Sequence, residues 1–139
     1  ILANEVFENM ESSDQISEDH FSFEIAHIGI NLPNAQEAKK TAALFSSLFH
    51  QKVGKESRSS LYAGDFIELM KAPGRGTHGH IAVATNDIEG AKRWFESQGF
   101  LFAEDSIKRN QNGDMTVIYF KDEIAGFAIH LFQRENKKE

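Results

Sequence analysis

One pattern occurs twice in this chain and constrains its fold more than any other feature. Ala26-His27-Ile28-Gly29-Ile30-Asn31-Leu32 and Gly79-His80-Ile81-Ala82-Val83-Ala84-Thr85 are each a short strand-type run with a single histidine. Each is followed by an Asn-containing turn and a segment of helical periodicity. Side chains alternate across a strand, so His27 and Gly29 share a face opposite Ala26, Ile28 and Ile30. By the same alternation His80, Ala82 and Ala84 oppose Ile81 and Val83, and both histidines turn away from the more apolar side. The chain reads as one structural unit written twice.

The first copy continues through Pro33-Asn34-Ala35-Gln36-Glu37 into a helix, with Asn34 as cap and Glu37 placed to reach back to it. Ala38, Ala42, Phe45, Leu48 and Phe49 recur at helical spacing as its expected buried stripe. Strands are predicted over 51–55, 59–63 and 65–71, the last two joined tightly at Gly64-Asp65. Pro73-Gly74-Arg75-Gly76-Thr77 is a connector, since it matches no phosphate-loop pattern. The second copy repeats the order: a strand over Gly79–Thr85, a helix from Asp87 to Gln98 with a capping box from Asn86 to Glu89, and strands over 101–107, 115–120 and 126–133. Its helix is expected to bury Ile88, Ala91, Trp94 and Phe95 and to stop at Gly99, with a turn at Asn110-Gln111-Asn112-Gly113. Each module is therefore strand, helix and three strands, an α+β arrangement. The expected organisation is a leader or linker over 1–20, a single domain over 21–133 built from modules 21–72 and 78–133, and a charged tail over 134–139.

Composition narrows the partners. At 139 residues with 40% apolar residues and 12 Phe, the chain can bury the core of one ordinary domain. The net charge of −6, with both signs interspersed, leaves no basic footprint, so nucleic acid is not an expected partner. Cysteine is absent, so any metal has to be held by His and carboxylates. No apolar run approaches the roughly 18 residues of a membrane span, and a soluble, cytoplasmic protein is expected.

The last strand of each module supplies a second matched pair. Gly64-Asp65-Phe66-Ile67-Glu68-Leu69 and Gly126-Phe127-Ala128-Ile129-His130-Leu131 each place a ligand-type side chain four residues after a glycine, between two apolar neighbours. Glu68 shares its face with Phe66 and Met70, and His130 with Ala128 and Phe132. A charged or basic group on such a face costs several kcal/mol unless it is paired or bound.

These residues resemble the vicinal oxygen chelate superfamily of glyoxalase I, extradiol dioxygenases, fosfomycin-resistance proteins and methylmalonyl-CoA epimerase. The resemblance spans residues 21–133. It implies paired βαβββ modules forming a curled mixed sheet with a cleft, and a divalent ion (Zn, Ni, Co, Mn or Fe) held at His27, Glu68, His80 and His130. The stretches EIAHIGINLPNAQEA, AGDFIELMKAP, THGHIAVATNDIE and EIAGFAIHLFQ look most like the domain fused behind some bacterial 2-dehydro-3-deoxyphosphogluconate (KDPG) aldolases. At the position of His130 the superfamily usually carries Glu, and that carboxylate doubles as a base in glyoxalase I. Glu68 and His130 are therefore the expected catalytic pair. Phe66, Met70, His78, Phe132 and Arg58 are the expected substrate contacts, with core or solvated surface as the plainer role for each. The implied activity is a glyoxalase-related, metal-dependent lyase or isomerase acting on a small 2-oxo or 2-hydroxy acid, a sugar acid included, in a homodimer. The alternative is a non-catalytic small-molecule binding or sensing domain.

Overall fold

A computed structural model of the chain describes residues 21–135, so the expected leader over 1–20 and most of the expected tail lie outside the described residues. The elements are β1 (Phe23–Asn31), α1 (Ala35–Leu48), β2 (Val53–Glu56), β3 (Ser60–Ala63), β4 (Ile67–Met70), β5 (Gly79–Thr85), α2 (Ile88–Ser97), β6 (Phe102–Arg109), β7 (Met115–Phe120) and β8 (Phe127–Gln133). Strand, helix and three strands occur twice, as the doubled pattern predicts. No described helix is long and apolar enough to cross a membrane.

The described residues divide into two compact units, 25–82 with 123–128, and 21–24 with 83–122 and 129–135. In the first, the strands follow the order β2-β3-β4-β1-β5. β1 and β4 run parallel with Gly29 opposite Glu68, while β3 and β4 run antiparallel with Tyr62 opposite Glu68. This register sets side chains from three strands around one carboxylate. The opposite face is apolar: Leu61, Ala63, Leu69 and Ile67 pack with Ala38, Ala42 and Phe45 of α1. Helix α1 begins as expected, with the Asn34 side chain accepting the Glu37 backbone N–H at 2.9 Å. Its stripe is shorter than the periodicity predicts. Leu48 and Phe49 are 68% and 51% exposed, because the buried line runs through Ala38, Ala42 and Ser46 and leaves the last turn overhanging.

In the second unit the order is β5-β8-β7-β6, with α2 packed on one face. Ile88, Ala91, Phe102, Met115, Ile118 and Leu131 form the core, and Phe95 and Phe120 join it with rings 5.1 Å apart. The cap of α2 is Asp87 and not Asn86: Asp87 Oδ1 accepts the Gly90 N–H at 3.0 Å. Asn86 is taken by the Ser22 N–H at 2.9 Å, which removes it from the capping role. Gln133 of β8 accepts the Ile88 N–H and donates to the Asn86 carbonyl, fastening the helix entry to the sheet.

Candidate metal centre

The site grows from the polar face of the first unit. β1 contributes His27 and Gly29, β3 contributes Ser60 and Tyr62, β4 contributes Glu68 and β5 contributes His80. His80 is buried and Glu68 and His27 largely so, in keeping with inward alternation on each strand.

Three atoms meet at one point. His27 Nε2 and His80 Nε2 lie 3.1 Å apart, His80 Nε2 lies 3.1 Å from Glu68 Oε1, and His27 Nε2 lies 3.3 Å from the same oxygen. Hydrogen bonds cannot satisfy all three contacts. With both nitrogens protonated toward Glu68, two donors face each other; with one bare, its lone pair faces the carboxylate. A cation accepts all three lone pairs at once. Ligands bound at about 2.0–2.1 Å around a tetrahedral ion stand about 3.3 Å from one another, which is the spacing found. The donor set of two imidazoles and one carboxylate suits Zn, Ni, Co, Mn or Fe, so the residues fit a divalent ion.

The surroundings orient these donors. Ser60 Oγ donates to Glu68 Oε2 at 2.7 Å, which occupies the outer oxygen and leaves Oε1 to the histidines. Such support of a ligand by a neighbouring donor is the usual companion of a metal site. Burial works to raise the Glu68 pKa, but hydrogen bonds from His80 and Ser60 and the nearby imidazoles outweigh it and hold the carboxyl down at about 2. Desolvation lowers the His27 pKa, with Glu68 partly offsetting it, so the ring favours the neutral form that ligation needs. Burial and the adjacent Glu68 carboxylate push the Tyr62 hydroxyl up to about 12, so it keeps its proton. Its ring meets His27 edge-on at 5.8 Å.

Gly29 makes the convergence possible. A Cβ at this position would collide with the His80 ring, which lies across β1 to reach its partners. A cavity of about 350 Å³ opens beside Glu68, with Lys55, Ser57, Ser60, Tyr62 and Asp65 on its walls.

His130 is buried on β8 in the second unit, stacked on Tyr119 with centroids 4.8 Å apart. His78 is exposed, with its ring against Gly126 and Phe127. Phe66 is 65% exposed in the β3–β4 turn. Arg58 is exposed in the β2–β3 turn, Met70 is half-buried on β4, and Phe132 is half-buried with its ring 6.3 Å from that of His130. Gly29, Ser60 and Tyr62 escape sequence reasoning, since their roles depend on which strand lies beside which.

No family model and no curated protein matches the sequence. Solved structures do. A hypothetical protein, BH1468 from Bacillus halodurans C-125, shares 18% identity over 85% of this chain and 99% of its own, with a TM-score of 0.58. Methylmalonyl-CoA epimerase from Mycobacterium tuberculosis shares 17% over 81% of this chain and 89% of its own, with a TM-score of 0.55. A Streptomyces coelicolor methylmalonyl-CoA epimerase in complex with 2-nitronate-propionyl-CoA shares 14% over 78% and 95%, with a TM-score of 0.52. This is the vicinal oxygen chelate fold. The likeness carries the fold of these epimerases, with its doubled strand-helix-three-strand order, and at these identities it carries nothing of their substrates.

Proposed function

We propose that this chain is a divalent-metal-dependent isomerase or lyase of the glyoxalase-related type, acting on a small 2-oxo or 2-hydroxy acid, sugar acids included. The observation that carries the proposal is the convergence of His27 Nε2, His80 Nε2 and Glu68 Oε1 within 3.1–3.3 Å of one another. His27, His80 and Glu68 are three ligands in this reading. His130 is the fourth, because it holds the place in β8 that Glu68 holds in β4, four residues after a glycine. The epimerases of the same fold lend support to isomerase-type chemistry.

A bound divalent ion supplies polarisation of the two neighbouring oxygens of such an acid, which acidifies the adjacent C–H. The chain supplies the rest. Ser60 keeps Glu68 turned through one oxygen. Glu68, with its carboxyl held at about 2, stays ionised at neutral pH and is a ligand in preference to a base. The proton step is assigned to His130, whose imidazole can accept a proton at an unprotonated ring nitrogen. Its imidazole would join the residues holding the ion or, with a ring nitrogen left free, would take the substrate proton. Tyr62 keeps its proton, its hydroxyl engaged with the Glu68 carboxylate at the cavity wall.

The weak basicity of Glu68 also favours a second reading, a binding or sensing domain in which the same centre holds a ligand without turnover. The test is titration of metal-free protein with Zn, Ni and Co, followed by nuclear magnetic resonance of α-proton exchange into deuterated water for a panel of 2-oxo and 2-hydroxy acids. One ion per chain with accelerated exchange supports the enzyme, and His130→Ala then slows exchange by about 100-fold or more. Binding of the ion with exchange at the buffer rate supports the sensor. Absence of metal binding contradicts both.

A further inference from the structure

We infer that the cavity beside Glu68 is a specificity pocket for a hydroxylated acid, and that Lys55 and Asp65 are the residues that read its tail. The inference rests on the proposed metal-dependent reading of the centre. The cavity, of about 350 Å³, lies within the range of small-molecule sites. Gly64 apart, every side chain on its walls carries a polar group, set among the apolar carbons of the Lys55 stem and the Tyr62 ring. Lys55 enters from β2 and Asp65 from the turn between β3 and β4. Among the described residues neither makes an ion pair. The cavity thus offers a donor and an acceptor on its exposed side, and the half-buried Glu68 side chain on its wall.

The chemistry of the wall selects among tails. An apolar tail strips water from Lys55 and Asp65 and returns nothing to either. An anionic tail meets Lys55 but is repelled by Asp65 and Glu68. A hydroxyl both accepts and donates, so it can accept from Lys55 Nζ and donate to the Asp65 carboxylate. The rim is set before any ligand arrives. Ser57 Oγ accepts the backbone N–H groups of Ser59 and Ser60 at 3.3 and 3.2 Å, and Lys71 Nζ donates to the Ser57 carbonyl at 2.8 Å. A fixed rim lowers the ordering cost of binding.

The test compares acids of equal length on the full, metal-loaded chain by calorimetry: gluconate, 2-hydroxyhexanoate and 2-hydroxyadipate. Uptake of Co alone is measured first; its failure overturns the centre and this pocket with it. With Co bound, gluconate is expected to bind about tenfold more tightly than either of the others, one well-made hydrogen bond's worth. Lys55→Met with Asp65→Leu brings the three acids within about twofold of one another without changing Co affinity, and Lys55→Arg retains the preference. Equal binding of the three acids by the unaltered chain, or a gluconate preference that survives the double substitution, overturns the assignment while leaving the metal centre standing.

Discussion

Ser60 is the residue on which the centre leans without its being a ligand. Its hydroxyl is buried and spends its proton on Glu68 Oε2. Ser60→Ala leaves that oxygen unsatisfied, and stability to urea is expected to fall by about 1–3 kcal/mol. Metal affinity, read by calorimetry, is expected to fall about tenfold or more, because the carboxylate is then free to rotate. Protonation works on the same residues in metal-free protein. The folded pKa of His27 lies below its value in the unfolded chain, so the unfolded state binds the proton more readily. The stability that His27 contributes is present above about pH 6.5 and is lost as pH falls through its lowered folded value. Glu68 adds a second loss, from its ordinary 4.5 down to about 2. Urea unfolding of chelator-treated protein at a series of pH values should show the first decline, and His27→Ala should remove it.

At the level of the element, alternation along a strand made much of the site legible. His27 and Glu68 project from β1 and β4 to the face opposite the helix, as period two requires, because Ile30 and Leu69 on the other face pack with α1. Helix starts were legible to within one residue. Asn34 caps α1, but at α2 the neighbouring Asp87 takes the role because Asn86 is engaged by Ser22. Asp87→Ala is expected to cost about 1 kcal/mol in thermal or urea unfolding, with Asn86→Ala failing to mimic it through the helix cap. Gly29 was not legible as part of the site. A glycine in a strand signals only that something comes close, and the approaching group is known only once β5 lies beside β1. Gly29→Ala places a methyl group where the His80 ring lies. The ring must move off the Glu68 carboxylate, and metal affinity should fall by at least as much as for Ser60→Ala, read on the same calorimeter.

For the molecule as a whole, the doubled strand and helix pattern carried the fold, since each copy states the order strand, helix and three strands on its own. Solved structures of that fold match at 14–18% identity, so few positions beyond the pattern are held in common. The reason is physical: the order of elements needs only apolar periodicity and turn residues at the joins, which many sequences satisfy. The chemistry needs particular atoms at particular distances, which are set by register and are invisible in one linear string. Exposure of the last turn of α1 belongs to the same limit, as periodicity shows which residues share a stripe but not where the sheet beneath them ends. The claim underlying all of this is that His27, His80 and Glu68 hold one divalent ion. Anomalous diffraction at the cobalt edge, from crystals grown with Co, tests it most directly. The account predicts one peak per chain, about 2.0–2.2 Å from each of the three donor atoms. The absence of a peak there, with the two imidazoles and the carboxylate still in mutual contact, would contradict it.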